Sequence, residues 1–312
     1  KWAMWGIIHG HHVLITANTG SGKTLPAEFM IKWFTFIKEK KKKVIYASPI
    51  KALSNQKLND LRSKYPDISF GLLTGDIKDN PDADVLIMTT EILKNTLFNI
   101  KINKDKSKKI PLAFNLDIEN DLGGVIFDEV HYINDPDRGT VWEQSILLLP
   151  PHVQMLLLSA TINKSEKFAE WIENEKNKDV KTEEYKKVIL APTQMRVVPL
   201  SHYLWYSTPK SLFDEKKNKS IFSLLDYTNK PLLLKNDKVE FNIKNLVKLN
   251  QIDSEIKKNK IYIKRKFVLN ELVSYLKNNN MLPAICFVFS RKQAEIAALE
   301  IEKNLHDDEK FS

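Results

Sequence analysis

The segment Ala17-Asn18-Thr19-Gly20-Ser21-Gly22-Lys23-Thr24 leaves this chain few folds to choose from. A short apolar run of strand type, residues 13–16, precedes it, and a helical pattern over residues 23–40 follows. Strand, glycine-bearing loop and helix in that order mark a phosphate-binding loop. Backbone N–H groups and the positive end of the helix dipole converge on the phosphates, and Gly20 and Gly22 put no side chain in the way. Lys23 is expected on the β- and γ-phosphate oxygens, and the Thr24 hydroxyl on a magnesium ion, which takes oxygen ligands. ATP and Mg2+ are the expected cofactors. The loop begins with Ala17 instead of glycine and Gly-Lys-Thr also arises by accident, so the loop alone does not decide.

Asp128-Glu129-Val130-His131 supplies the second half of the site. It follows the apolar residues 124–127, which places the Asp128 carboxylate at the carboxyl end of a buried strand, where ligands bind in open α/β sheets. Asp128 is expected to share the magnesium ion. Glu129, free of the metal, is expected to orient and deprotonate the water that attacks the γ-phosphoryl group. The predicted reaction is ATP hydrolysis.

Apolar strand runs at residues 44–48, 70–73, 85–88, 124–127 and 155–158 alternate with helical patterns at 52–65, 91–98, 138–149 and 164–171. This alternation predicts an α/β fold, a parallel sheet with helices on both faces. A lysine-rich stretch, residues 99–120, reads as an exposed insertion. The first domain is expected to span residues 1–198. Residues 199–266 read as an aromatic strand at 200–206 followed by a Lys/Asn-rich insertion or linker from about 208 to 266. Residues 267–312 read as a helix at 267–276, a strand at 284–290 and a helix from 292 to about 305, the opening of another α/β domain that stops short.

The net charge of +9 is concentrated: residues 208–266 hold 15 Lys and Arg against 7 Asp and Glu, so the nucleotide-handling part is almost neutral. A charge run of this kind reads as a solvated surface at least as readily as a nucleic-acid contact. The single cysteine, Cys286, lies in an apolar run and excludes an internal disulfide; a small buried hydrophobe is the expected role. No apolar stretch reaches membrane-span length and no signal peptide is read, so the expected compartment is intracellular, cytoplasmic or nuclear, with a cellular or large-viral source both open.

The motifs together closely resemble the DExH-box helicases of superfamily 2, and within them the superkiller-type RNA helicases. The resemblance rests on residues 17–24, Ser48-Pro-Ile-Lys-Ala-Leu-Ser-Asn-Gln56, Leu73-Thr-Gly-Asp76, Thr89-Thr-Glu-Ile-Leu93, Asp128-Glu-Val-His-Tyr132, Asp137-Arg-Gly-Thr-Val-Trp-Glu143, Ser159-Ala-Thr161 and Phe287-Val-Phe-Ser-Arg291. It implies a RecA-like P-loop NTPase domain over residues 1–198 and the beginning of a second from 267. Its arginine-bearing late motifs are read as lying beyond Ser312, so the piece by itself is expected to hydrolyse ATP weakly or not at all.

The resemblance further implies that Pro49, Lys51 and Ala52, Gly75 and Asp76, and Thr89, Thr90 and Glu91 meet phosphates of single-stranded RNA. Such backbone contacts hold a strand without reading its bases. Lys51 taken alone reads as an ordinary solvated lysine. Ser159, Ala160 and Thr161 are implied to couple the hydrolytic site to RNA through His131, for which the seven histidines offer no metal constellation. Trp142, Tyr203, Trp205 and Tyr206 read as packing residues before stacking platforms. An RNA-decay complex is a partner by resemblance only. The alternatives are a DNA helicase or translocase of the same superfamily, and a nucleic-acid-binding scaffold with a vestigial ATP site.

Overall fold

The computed structural model describes residues 1–105, 117–160, 162–193, 196, 198–208, 225–238, 240–258 and 260–302. Thr161, the core of the 99–120 insertion and much of the lysine-rich segment after residue 208 lie outside the described residues. The chain divides into two compact units, Lys1–Val198 and Pro199–Ser312.

In the first unit, β1 (His12–Ala17), β2 (Lys43–Ser48), β3 (Phe70–Leu73), β4 (Lys78–Asp79), β5 (Val85–Thr89), β6 (Leu122–Phe127), β7 (Gln154–Ser159) and β8 (Val188–Thr193) form one sheet in the order β4-β3-β5-β2-β6-β7-β1-β8. Every neighbouring pair is parallel except β3 with the short edge strand β4. The central strands are buried along their whole length, because a parallel sheet is covered on both faces and its strands read as continuous apolar runs. One face is covered by α1 (Trp2–Ile8), α2 (Thr24–Lys32) and α3 (Lys51–Lys64), through Ile7, Met30, Ile31 and Leu58. The other is covered by α4 (Thr90–Asp105), α5 (Gly139–Leu148) and α6 (Ser165–Asn177), through Leu93, Leu97, Trp142, Ile146 and Ile172. This is the α/β, RecA-like arrangement.

Three details depart from the sequence reading in this unit. The helix expected over residues 23–40 is α2 followed by a π-helical turn, Trp33–Ile37, after which Lys38 turns extended. Trp33-Phe-Thr-Phe-Ile keeps an apolar pattern compatible with a longer helix, while Phe34 and Thr35 are buried and Phe36 and Ile37 point out. The stretch after α6, for which the sequence pattern gives no strand, contains β8, which adds a parallel edge strand beside β1. Side chains that no motif flags tie β7 to β1 and to the turn before it: Gln154 Nε2 donates to the Ile7 and His11 carbonyls at 3.1 and 2.5 Å, and buried His12 accepts the Met155 N–H at 3.0 Å.

In the second unit, β9 (His202–Trp205) pairs antiparallel with β10 (Pro231–Lys235), α7 (Ile243–Lys258) packs on β10, and α8 (Arg265–Asn278) lies beside α9 (Arg291–Glu300). The described part of the 208–266 segment is therefore built of regular elements. Two further expectations fail. Residues 284–288 carry no regular structure, and Cys286 is exposed. An apolar run becomes a strand only against a hydrogen-bonding neighbour, and among the described residues no strand pairs with this run, which leaves Ile285, Phe287 and Phe289 at 81%, 86% and 109% exposure.

Candidate functional site

The carboxyl end of β1 runs into the loop at Asn18. Gly20 and Gly22 adopt φ of +82° and +83°, the left-handed region that only glycine enters without strain. A methyl group built on either would meet nothing within 4 Å, so the loop leaves an open cradle above its own backbone. Ser21 closes the turn from within: its hydroxyl and its N–H donate to the Asn18 carbonyl at 2.6 and 3.2 Å. Behind the cradle, α2 begins at Thr24 with no side chain capping its first N–H groups. The Leu25 N–H is spent on the Gly22 carbonyl at 3.1 Å and Pro26 has none, so what favours an anion in the cradle is the loop backbone and the helix dipole.

Two strands away in the sheet, β6 delivers Asp128 and Glu129, with β7 between β6 and β1. Thr16 of β1 lies level with Ser159 of β7, and Phe127 of β6 with Leu157, so all three tips share one edge. Asp128 is held at both oxygens. Its Oδ2 accepts from the Tyr46 hydroxyl at 2.6 Å and its Oδ1 from the Glu129 N–H at 3.0 Å. Burial first, then the Asp128 charge, pushes the Tyr46 phenol well above its usual value, so Tyr46 is a neutral, permanent donor. Glu129 takes φ of +52°, a conformation that a non-glycine residue keeps only when its surroundings hold it. That turn aims its carboxylate back over β7: Oε2 lies 3.8 Å from Lys23 Nζ and 3.3 Å from His131 Nδ1.

Neither approach has hydrogen-bond geometry. The described residues contain six buried side-chain polar atoms without a hydrogen-bond partner, and four of them are Lys23 Nζ, Glu129 Oε2, His131 Nδ1 and Ser159 Oγ. Native structures leave few such atoms, and a cluster of them calls for a polar guest. A cation, an acid, an imidazole and a hydroxyl around a backbone cradle match the donors and acceptors that a triphosphate with its metal and attacking water requires. Mg2+ in particular fits the oxygen donors Thr24 and Asp128.

Further along the same edge stand the tips of β2, β5 and β3, neighbours of β6 in that order. The Asp128 N–H donates to the Ala47 carbonyl at 2.9 Å, which ties the acidic tip to β2. After β2, Pro49 is buried and its carbonyl receives Arg138 Nη1 at 3.5 Å, while Lys51 and exposed Ala52 open α3, whose N-cap Ile50 offers no side-chain acceptor. Lys51 Nζ donates to Asp76 Oδ1 at 2.7 Å, and Thr74 Oγ1 donates to the same oxygen at 2.9 Å. These two bonds, Lys51 first, hold the Asp76 carboxyl below its usual range. Gly75 sits between them; a methyl there would lie 3.9 Å from Lys51 Nζ. Thr89 and Thr90 are buried, and the Thr90 hydroxyl is spent on the Ser48 carbonyl at 3.2 Å. Glu91, the next residue of this turn, is half-buried. Nucleotide-type and helix-start residues thus form one row along the carboxyl ends of six strands.

A sequence model of the DEAD/DEAH box helicase family matches residues 2–168. The chain belongs to that family. It is 42% identical over 205 residues to the antiviral helicase SKI2 of Saccharomyces cerevisiae, covering 66% of this chain and 14% of that protein. It is 41% identical over 214 residues to superkiller complex protein 2 of Homo sapiens, covering 69% and 14%. To the ATP-dependent RNA helicase mtr4 of Schizosaccharomyces pombe it is 33% identical over 291 residues, covering 93% of this chain and 23% of that protein. The chain thus spans about a seventh of the first of these relatives, and nothing among the three supports a viral source. No helix among the described residues is long and apolar enough to cross a membrane.

Within this helicase fold the motifs leave out Tyr46. Its one signal in the sequence is a lone hydroxyl in an otherwise apolar strand, which reads as core. A donor that orients a metal-binding carboxylate is worth about 10- to 100-fold in metal affinity. Tyr46→Phe is accordingly expected to raise the Mg2+ concentration that half-saturates nucleotide binding by roughly tenfold, while metal-free nucleotide affinity stays the same. A Mg2+ titration of fluorescent-nucleotide binding checks it, and coincident curves would remove Tyr46 from the site.

Proposed function

We propose that this chain is part of an ATP-dependent RNA helicase that couples ATP binding and hydrolysis to movement along, or unwinding of, RNA. The observation that carries this is the convergence of Lys23 and Glu129 over the tip of β7, at 3.8 Å, in line with the uncapped helix start at Lys51. The loop amides of residues 17–22 and Lys23 would hold the β- and γ-phosphates, and Thr24 and Asp128 the Mg2+. When bound, that magnesium nucleotide supplies the scissile phosphoryl group and neutralises its oxygens. Glu129 orients the water and takes its proton, Lys23 balances the charge beside it, and Asp128 is kept in place by Tyr46. His131 and Ser159, whose polar atoms are buried and unpaired, are the coupling residues toward the helix-start row.

We assign residues 1–198 to the first RecA-like domain, 199–266 to a strand, linker and Lys/Asn-rich insertion, and 267–312 to the beginning of the second RecA-like domain. The 93% coverage in the match to mtr4 supports an assignment that runs past the first unit. The helix-start residues offer an RNA strand backbone N–H groups and one cation, and no base-reading side chain, which suits a motor indifferent to sequence. The likeness to SKI2 and to superkiller complex protein 2 supports a place in an RNA-decay complex, in cytoplasm or nucleus. ATP turnover by the full-length protein, measured with single-stranded RNA and with DNA of the same sequence, tests the reading. Stimulation by RNA well above that by DNA is expected; equal stimulation by DNA would replace RNA by nucleic acid in general, and none by either would end the helicase assignment.

A further inference from the structure

The first unit has a second surface with nucleic-acid character, on the edge opposite the one described above. Both α2 and α3 begin at the carboxyl edge of the sheet and end at the amino edge, about 20 Å away by the rise of a six-residue strand. There the π-helical turn Trp33–Ile37 meets the loop that follows α3. Between them lies a groove of about 430 Å³ lined by Lys32, Phe36, Ile37, Lys64, Tyr65 and Pro66, among others. Phe36 and Ile37 are 51% and 56% exposed on its rim. An α-helical continuation would turn these two side chains elsewhere, and π-helical turns recur at functional positions.

Cations are interleaved with the rings. Lys32 Nζ stands 4.6 Å from the Tyr65 ring centre, Lys41 Nζ 5.5 Å from that of Phe36 and Lys38 Nζ 5.2 Å from that of Phe34. The exposed run Lys38-Glu-Lys-Lys41 follows the π-turn directly with a single acid in it. Glu28, which is bonded to two of the lining residues, is already neutralised: it accepts from Lys64 at 2.7 Å and from Tyr65 at 2.7 Å. Asp67 is the acid on the lining. A plain solvated lysine face would not expose Phe36 and Ile37 beside it, and a purely apolar docking groove would not be ringed by cations.

We infer that this groove is an accessory binding surface for single-stranded RNA, in which a base lodges between Phe36 and Tyr65 and the flanking phosphates meet Lys32, Lys38, Lys40 and Lys41. Aromatic faces with adjacent cations are the general means of holding single strands without sequence preference. The inference rests on the proposal that the chain acts on RNA, and adds a second contact separate from the helix-start row.

The test is equilibrium binding of a fluorescent single-stranded RNA to the full-length protein, by anisotropy across a salt series. Each phosphate of a single strand that the protein neutralises contributes about 0.7 to the slope of log affinity against log salt, through the counterions it releases. The variant Lys38→Glu/Lys40→Glu/Lys41→Glu is expected to lower that slope by about 2. Phe36→Ala is expected to weaken binding roughly tenfold with an unchanged slope, the size of one lost base stack. Fluorescent-nucleotide binding by both variants should match the parent, which shows that they are folded. Parental slope and affinity in both variants would overturn this inference alone; failure of the parent protein to bind RNA would overturn the proposed function with it. If the triple variant instead loses binding of polyglutamate while keeping its RNA slope, the surface belongs to an acidic protein partner and the RNA assignment is wrong.

Discussion

Glu129→Gln is expected to lower ATP turnover of the full-length protein by at least about a hundredfold while leaving nucleotide affinity equal or higher. Gln keeps the shape of the side chain but cannot take a proton, and a positioned general base contributes about 10²- to 10⁴-fold. The position is specific: a residue at φ +52° carries its carboxylate over β7 to within 3.8 Å of Lys23. Removing one negative charge beside the phosphates also lessens repulsion, which is why binding should not suffer. A phosphate-release assay and fluorescent-nucleotide titration, run side by side, separate the two quantities. Unchanged turnover would mean that Glu129 is not the base.

Trp142→Ala is expected to destabilise the first unit by about 3–5 kcal/mol, the cost of truncating a large buried aromatic and leaving a cavity. Trp142 is 2% exposed and packs from α5 onto Phe127, with ring centres 6.0 Å apart. Phe127 immediately precedes Asp128, so the same ring supports the strand that presents the acid. The denaturation midpoint should fall with no change in the dependence on denaturant. A stacking platform for RNA would give the opposite pattern, lost RNA affinity at parental stability.

Much of the first unit is legible in its amino-acid sequence because its strands are buried on both faces, and uninterrupted runs such as Val44-Ile45 or Met155-Leu156-Leu157 admit few other readings. The nucleotide motifs are legible for a different reason. Gly20 and Gly22 are needed for a backbone conformation, and Asp128 and Glu129 for their place at a strand tip. What the sequence hides depends on neighbours. β8 is a strand only because β1 offers it an edge, and the run at 284–288 stays irregular for want of one. The bond between Tyr46 and Asp128 joins residues 82 positions apart, and that between Lys51 and Asp76 residues 25 apart, so neither leaves a local pattern. The π-turn at Trp33–Ile37 looks in sequence like more helix.

Lys23 and the Asp128-Glu129 tip are proposed to grip one magnesium nucleotide together. Calorimetric titration of ATP into the protein, with and without Mg2+, beside Lys23→Ala and Asp128→Ala variants, tests it most directly. Saturable 1:1 binding that Mg2+ tightens is expected, lost in Lys23→Ala and made insensitive to Mg2+ in Asp128→Ala. Binding that ignores both substitutions, or its absence from the parent protein, would contradict it.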